Sequence, residues 1–148
     1  MNIWTLLLTL AFTLYMTGVI WTMQLLEYPL FALVGPDEFL PYHAAHNRSL
    51  PFLVMLPTLL ALVSALLLLW IRPPSLPLWS AGLVTVLDVA IFVSTILWQA
   101  PLHTKLDREG FSLKVITALV RSNWIRTVLW TINALLLLGM TATLLSTK

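Results

Sequence analysis

Cysteine is absent, which excludes disulfides, thiolate metal sites, redox cysteine pairs and cysteine nucleophiles, and leaves the redox compartment open. Charge is scarce as well. Only 9% of the 148 residues are Asp, Glu, Lys or Arg, well short of the usage in soluble domains. A net charge of +2 is too small to suggest nucleic acid, so any basic patch is better suited to lipid headgroups or an anionic ligand. No phosphate-binding glycine loop or nucleophile elbow occurs, and hydrolase and kinase chemistry therefore have no support.

What the chain does have is apolar length, with 59% hydrophobic residues. Four runs, about 3–27, 49–71, 78–102 and 122–146, are each long enough to cross a hydrocarbon core of roughly 30 Å, which takes about 20 helical residues. The third holds a single charge, Asp88. Unpaired backbone groups are so costly in lipid that such runs must be helices. The expected fold is all-α, one integral membrane domain over 1–148 built as a four-transmembrane-helix bundle. The first run lacks a basic leader and outlasts a signal-peptide core, so it reads as a retained helix.

Tryptophan favours the membrane–water interface, and laying the helices antiparallel sorts these side chains into two belts. Trp4, Trp70 and Trp79 mark one side, Trp21, Trp98 and Trp124 the other, with Trp130 deeper. On the first side the helices are joined by a short proline-rich turn around Pro73, Pro74 and Pro77 that offers little chemistry. The second side carries interfacial segments at 36–48 and 104–120, every histidine, and all the acidic residues except Asp88. Asp37 is expected to cap a short interfacial helix beginning at Glu38, between the first two spans. Pro57 predicts a kink that frees a carbonyl one turn earlier. Arg48, Lys105, Arg108, Lys114, Arg121 and Arg126 lie on the polar side, against Arg72 and Lys148 opposite, and the positive-inside rule then puts the polar face in the cytoplasm of a cell (inner) membrane.

Polar residues recur at helical spacing on four elements. Gln24 and Glu27 share a face that Thr13 and Thr17 continue inward, and Asp88, Thr95, Gln99 and His103 form a second stripe. Asn123 and Arg126 lie three apart, as do His43 and His46. A bundle wrapped by lipid turns such stripes inward, because exposing them to hydrocarbon costs several kcal/mol each. His43, His46, His103 and Glu27 would then offer three imidazoles and a carboxylate, a ligand set for a transition metal ion such as Fe, Cu, Zn or Mn, with haem ligation through two of the histidines as the other metal reading. Gln24, Asn123 and Arg126 would support the site or bind substrate. Asp88, roughly 22 Å deeper than His103, is outside that site and has Asn133 as an expected partner. Asp37, Glu38, Asp107 and Glu109 read as solvated interface charges.

Several groups of residues bear a family likeness: Tyr28-Pro29, Phe39 and Tyr42-His43-Ala44-Ala45-His46, then Pro101-Leu102-His103, Gly110-Phe111 and Asn123-Trp124-Ile125-Arg126-Thr127. With Gln24 and Trp130, the chain resembles small four-helix membrane proteins of the anthrone-oxygenase-like group over most of its length. The resemblance implies oxygen-dependent oxidation of a lipophilic aromatic substrate and carries no assigned catalytic residues.

Two functional classes follow. In one, the chain is a metal-dependent membrane oxidoreductase or oxygenase acting on a lipophilic aromatic or quinone-like molecule, with Arg126 steadying a developing oxyanion. In the other, it is a non-enzymatic membrane module that binds haem, quinone, lipid or a partner protein. Membrane lipid and a lipophilic small molecule are the expected partners, and a homo-oligomer is left open. Both termini are expected outside the cytoplasm. A reporter fused after Lys148 should therefore be active only in its non-cytoplasmic form, and cytoplasmic activity there would reverse the orientation.

Overall fold

The computed structural model describes residues 3–146, so Lys148, one of the charges weighed for topology, lies outside the described residues. Four long helices dominate: α1 (Ile3–Leu33), α2 (Pro36–Trp70), α3 (Leu78–Glu109) and α4 (Leu113–Ser146), all long and apolar enough to cross a membrane. Among the described residues there is no strand. The chain is an all-helical integral membrane protein. Short connections make successive helices antiparallel neighbours, and α1 also packs against α4, so the four close into a ring. Leucine, valine and isoleucine side chains left exposed on the outer surface of this ring form its lipid-facing coat.

The helices outrun the apolar runs of the sequence. At 35 residues α2 is about 50 Å long, well beyond the hydrocarbon thickness. Residues 36–48 are helical, but they continue into the second span instead of forming a separate helix. The segment 104–120 is likewise no continuous interfacial stretch, since α3 runs on to Glu109 and α4 begins at Leu113. Nor does Asp37 cap anything. Gly35 is the N-cap and Pro36 the first helical residue, its ring pre-setting φ, while Asp37 and Glu38 occupy the first turn, where negative charge complements the helix dipole.

Three of the helices contain a wide turn with i to i+5 hydrogen bonding, and each ends just before a proline. The N–H of Tyr28 reaches back to Met23, that of Leu56 to Pro51 and that of Ala100 to Thr95, and the next residues are Pro29, Pro57 and Pro101. Proline lacks the N–H that would continue the ladder and crowds the preceding turn, so the backbone widens there. The carbonyl of Leu53, one turn before Pro57, accepts a hydrogen bond from the Tyr15 hydroxyl of α1 at 3.2 Å. These wide turns lie toward the polar end of the bundle and carry Gln24, Glu27 and Gln99.

Two apolar cores fill the interior, one containing Met16, Ile20, Phe31, Phe39, Leu106, Leu119 and Trp130, the other Leu6, Leu68, Val84 and Leu137. Along α3 and α4, Asp88 and Asn133 fall between them, and Asn133 Nδ2 donates to Asp88 Oδ1 at 3.1 Å. At the opposite end Arg72 donates to the carbonyls of Leu69 and Leu76, which closes the C-terminus of α2.

The turn from α3 to α4 depends on Gly110, whose φ of 77° and ψ of −151° lie in a region essentially restricted to glycine. Gly110→Ala should cost about 1–3 kcal/mol of stability, read as a lower midpoint of thermal unfolding in detergent. An unchanged midpoint would show that the turn can relax to ordinary backbone angles.

Candidate functional site

The polar side chains meet where α1, the start of α2, the end of α3 and the start of α4 come together. His43 is fully buried on α2, and its two ring nitrogens lie 2.8 Å from Asp107 Oδ1 and 3.1 Å from His103 Nδ1, both on α3. The other nitrogen of His103, Nε2, lies 3.3 Å from the Tyr28 hydroxyl of α1. An ionised carboxylate only accepts hydrogen bonds, so Asp107 sets the direction of the whole row. His43 Nδ1 donates to Asp107, His103 Nδ1 donates to His43 Nε2, and the Tyr28 hydroxyl donates to His103 Nε2. Each neutral ring gives one proton and takes one. The row connects the buried Tyr28 to the half-exposed Asp107, whose carboxylate also accepts from Asn47 Nδ2 at 2.8 Å.

His46 stands beside this row. Its Nδ1 lies 3.5 Å from Glu27 Oε2, and its Nε2 is buried without a partner. The three imidazoles are nearly parallel, with centroids 5.3 Å apart for His43 and His103, 5.8 Å for His46 and His103, and 6.2 Å for His43 and His46. Phe31 stands edge-on to all three rings, and Phe39 stacks against His43, which excludes water from that side.

A second network adjoins the first. Asn123 Nδ2 donates to Gln24 Oε1 at 3.0 Å, and Gln24 Nε2 donates to the Val120 carbonyl at 3.2 Å. Arg126 Nη1 donates to Asn123 Oδ1 at 3.4 Å, and the guanidinium lies against the Tyr28 hydroxyl without a well-formed hydrogen bond. Tyr28 therefore joins the two networks.

Two cavities flank the cluster. One of about 450 Å³ opens between α1 and α2, with Tyr15, Met23, Glu27, His46 and Leu53 in its wall. The other, about 240 Å³, lies between α2 and α3 and reaches Tyr28, His103, Asp107 and Arg126.

The structure thus brings together all seven residues expected at the site: Gln24, Glu27, His43, His46, His103, Asn123 and Arg126. It does not put them in one shell. Among the described residues no three His, Asp or Glu side chains form a group that could hold an ion as they stand. His43 and His103 are in direct hydrogen-bonded contact, and Glu27 faces the outer nitrogen of His46 instead of a common centre. Asp107, read from the sequence as a solvated charge, is an integral member. Tyr28, named only in the family likeness, and Asn47 were not placed at the site, although Tyr28, Asn47 and Asp107 follow Gln24, His43 and His103 by four residues, the spacing that shares a helical face.

Compared with known families, with curated proteins and with solved structures, the chain matches none of them.

Asn123 bridges Gln24 and Arg126 out of reach of water, so Asn123→Ala should destabilise the fold by about 1–3 kcal/mol for each partner left unsatisfied. Thr117→Ala, on the same helix and exposed, should be close to neutral. Denaturant unfolding followed by tryptophan fluorescence compares the two, and equal midpoints would show that the bridge contributes nothing.

Proposed function

We propose that the chain is a membrane oxidoreductase that acts on a lipophilic, hydroxylated aromatic or quinol-like substrate with the help of a transition metal ion at His43, His46 and His103. The observation that carries this reading is the spacing of the three imidazoles in a triangle. Three imidazoles bound to one ion at about 2.0–2.1 Å have centroids about 5.5 Å apart, close to the 5.3, 5.8 and 6.2 Å found here. The outer nitrogens of His43 and His46 face the carboxylates of Asp107 and Glu27, the pairing that orients metal-binding histidines and fixes their tautomer. The buried, unpartnered Nε2 of His46 is then a free ligand. An ion would enter in place of the hydrogen bond between His43 and His103, and His103 would turn its remaining N–H toward the Tyr28 oxygen. Glu27 belongs in this arrangement behind His46.

When bound, the ion supplies redox or Lewis-acid chemistry. The chain's own residues do the rest. The cavity between α1 and α2 admits an apolar molecule from the lipid beside His46. Oxidising a quinol-type substrate to the quinone removes two protons and two electrons; dioxygen, the electron acceptor that the family resemblance implies, takes up the two electrons and two protons from the polar side to give hydrogen peroxide. Asp107, half-exposed at the polar end, is the exit for the protons. Arg126, held by Asn123, offers positive charge to an oxyanion forming in the site. The polar end, including residues 36–48 at the interface, faces the cytoplasm of a cell (inner) membrane in this reading.

A metal-free binding module is the second reading, and the closed hydrogen bond between His43 and His103 favours it. Elemental analysis decides between the two. Protein purified gently after metal-replete expression should carry about one ion per chain, and His103→Ala should lower that content while retaining helix by circular dichroism. Equal metal content in the variant, or none in the wild type, would remove the oxidoreductase reading.

A further inference from the structure

A guanidinium carries its charge at any physiological pH, and a buried charge needs a partner. Arg126 is 2% exposed and has no carboxylate opposite it. The ion pairs among the described residues join His43 to Asp107, His46 to Glu27 and Lys105 to Glu109, while Asp88 is held by Asn133. Arg126 makes one hydrogen bond, from Nη1 to Asn123, and its Nε and Nη2 have no partner. Those two nitrogens form one edge of the guanidinium. Their N–H bonds run parallel, the geometry that meets both oxygens of a carboxylate side-on.

Arg126 lines the cavity of about 240 Å³ between α2 and α3. The other side-chain donors in its wall already have partners. Asn47 Nδ2 gives to Asp107, Thr95 Oγ1 to the Ile91 carbonyl, Gln99 Nε2 to Ser122 Oγ, Thr104 Oγ1 to the Ala100 carbonyl, and the Tyr28 hydroxyl to His103. Gln99 Nε2 keeps one further N–H, and the two unpartnered nitrogens of Arg126 are the charged donors at this wall. A carboxylate is satisfied by that pair. Asp107 in the same wall repels either anion, and the greater bulk and further oxygens of a lipid phosphodiester make it the poorer fit. Leu50, Val54 and Met55 complete the wall with apolar surface suited to an alkyl or aromatic body.

We propose that this cavity binds a lipophilic carboxylic acid, with its carboxylate side-on against Nε and Nη2 of Arg126 and its apolar body between α2 and α3. This ligand is distinct from the quinol-type molecule placed beside His46, and its binding goes beyond the oxidoreductase reading. Binding itself needs no ion.

The test uses the full chain in phosphatidylcholine nanodiscs after treatment with EDTA, with palmitate, hexadecan-1-ol and dioleoyl phosphatidic acid as probes and retention read by native mass spectrometry. Palmitate should be retained about tenfold or more over the alcohol, since the two share a chain and differ in the charged head. Arg126→Met, similar in length and uncharged, should abolish that preference. Arg126→Lys keeps the charge but loses the fork, so its preference should fall below that of the wild type, and it serves if the Met variant does not fold. Equal retention of palmitate and alcohol by the wild type overturns the inference, as does wild-type preference in both variants. Arg126-dependent retention of phosphatidic acid in place of palmitate assigns the site to a lipid phosphate and also overturns it. Palmitate preference in a chain that never carries metal leaves this inference standing while the oxidoreductase reading falls, and metal content without palmitate preference does the reverse.

Discussion

Inside a lipid-wrapped bundle a polar group must find its partner within the protein, and the architecture of the polar end follows from that constraint. Tyr28, His43 and His103 are buried because each has a neighbour that completes it, and Asp107, half-exposed at the end of the row, fixes which way every hydrogen bond runs. Gln24, Asn123 and Arg126 obey the same rule across α1 and α4. Where a backbone N–H is missing, at Pro29, Pro57 and Pro101, the helix widens before it, and at Pro57 a hydroxyl from a neighbouring helix takes up a carbonyl of the preceding turn. The wide turns are thus a consequence of proline in a setting where water cannot repair the ladder.

His46 Nε2, Gln99 Oε1 and Trp130 Nε1 are also buried without a partner, and Arg126 departs furthest from the rule. A permanent charge, nearly removed from solvent, with one complete edge of donors unused, is a costly arrangement for structure alone. Tyr28 links it to the histidine row, so Arg126, His103 and His43 belong to one connected network. The two cavities reach this site from different seams of the bundle, one beside His46 and one beside Arg126.

Much of this was legible from residue types and spacing. The length of the apolar runs required spanning helices, and the periodicity of Gln24 with Glu27, His43 with His46 and Asn123 with Arg126 required their stripes to face inward, since lipid tolerates neither amides nor charges. The pairing of Asp88 with Asn133 followed from the same rule. Asp107 was misread because a carboxylate near a helix end is ordinarily solvated, and nothing local reveals that His43, sixty-four residues earlier in the chain, presents an N–H to it. Tyr28 was given no site role for a similar reason.

Composition and helical period therefore determined the solvent this chain folds in, its four helices and the end at which its chemistry gathers, because those properties depend on transfer free energy and on the rise and turn of a single helix. Tertiary structure alone decided that α2 and α4 run unbroken through their polar ends, that Glu27 stands behind His46, that His43 and His103 touch, and that Arg126 keeps one edge free. Each of these depends on distances of a few ångströms between different helices, set by side-chain packing and by the widened turns before the prolines, and no one-dimensional pattern encodes a distance of that kind.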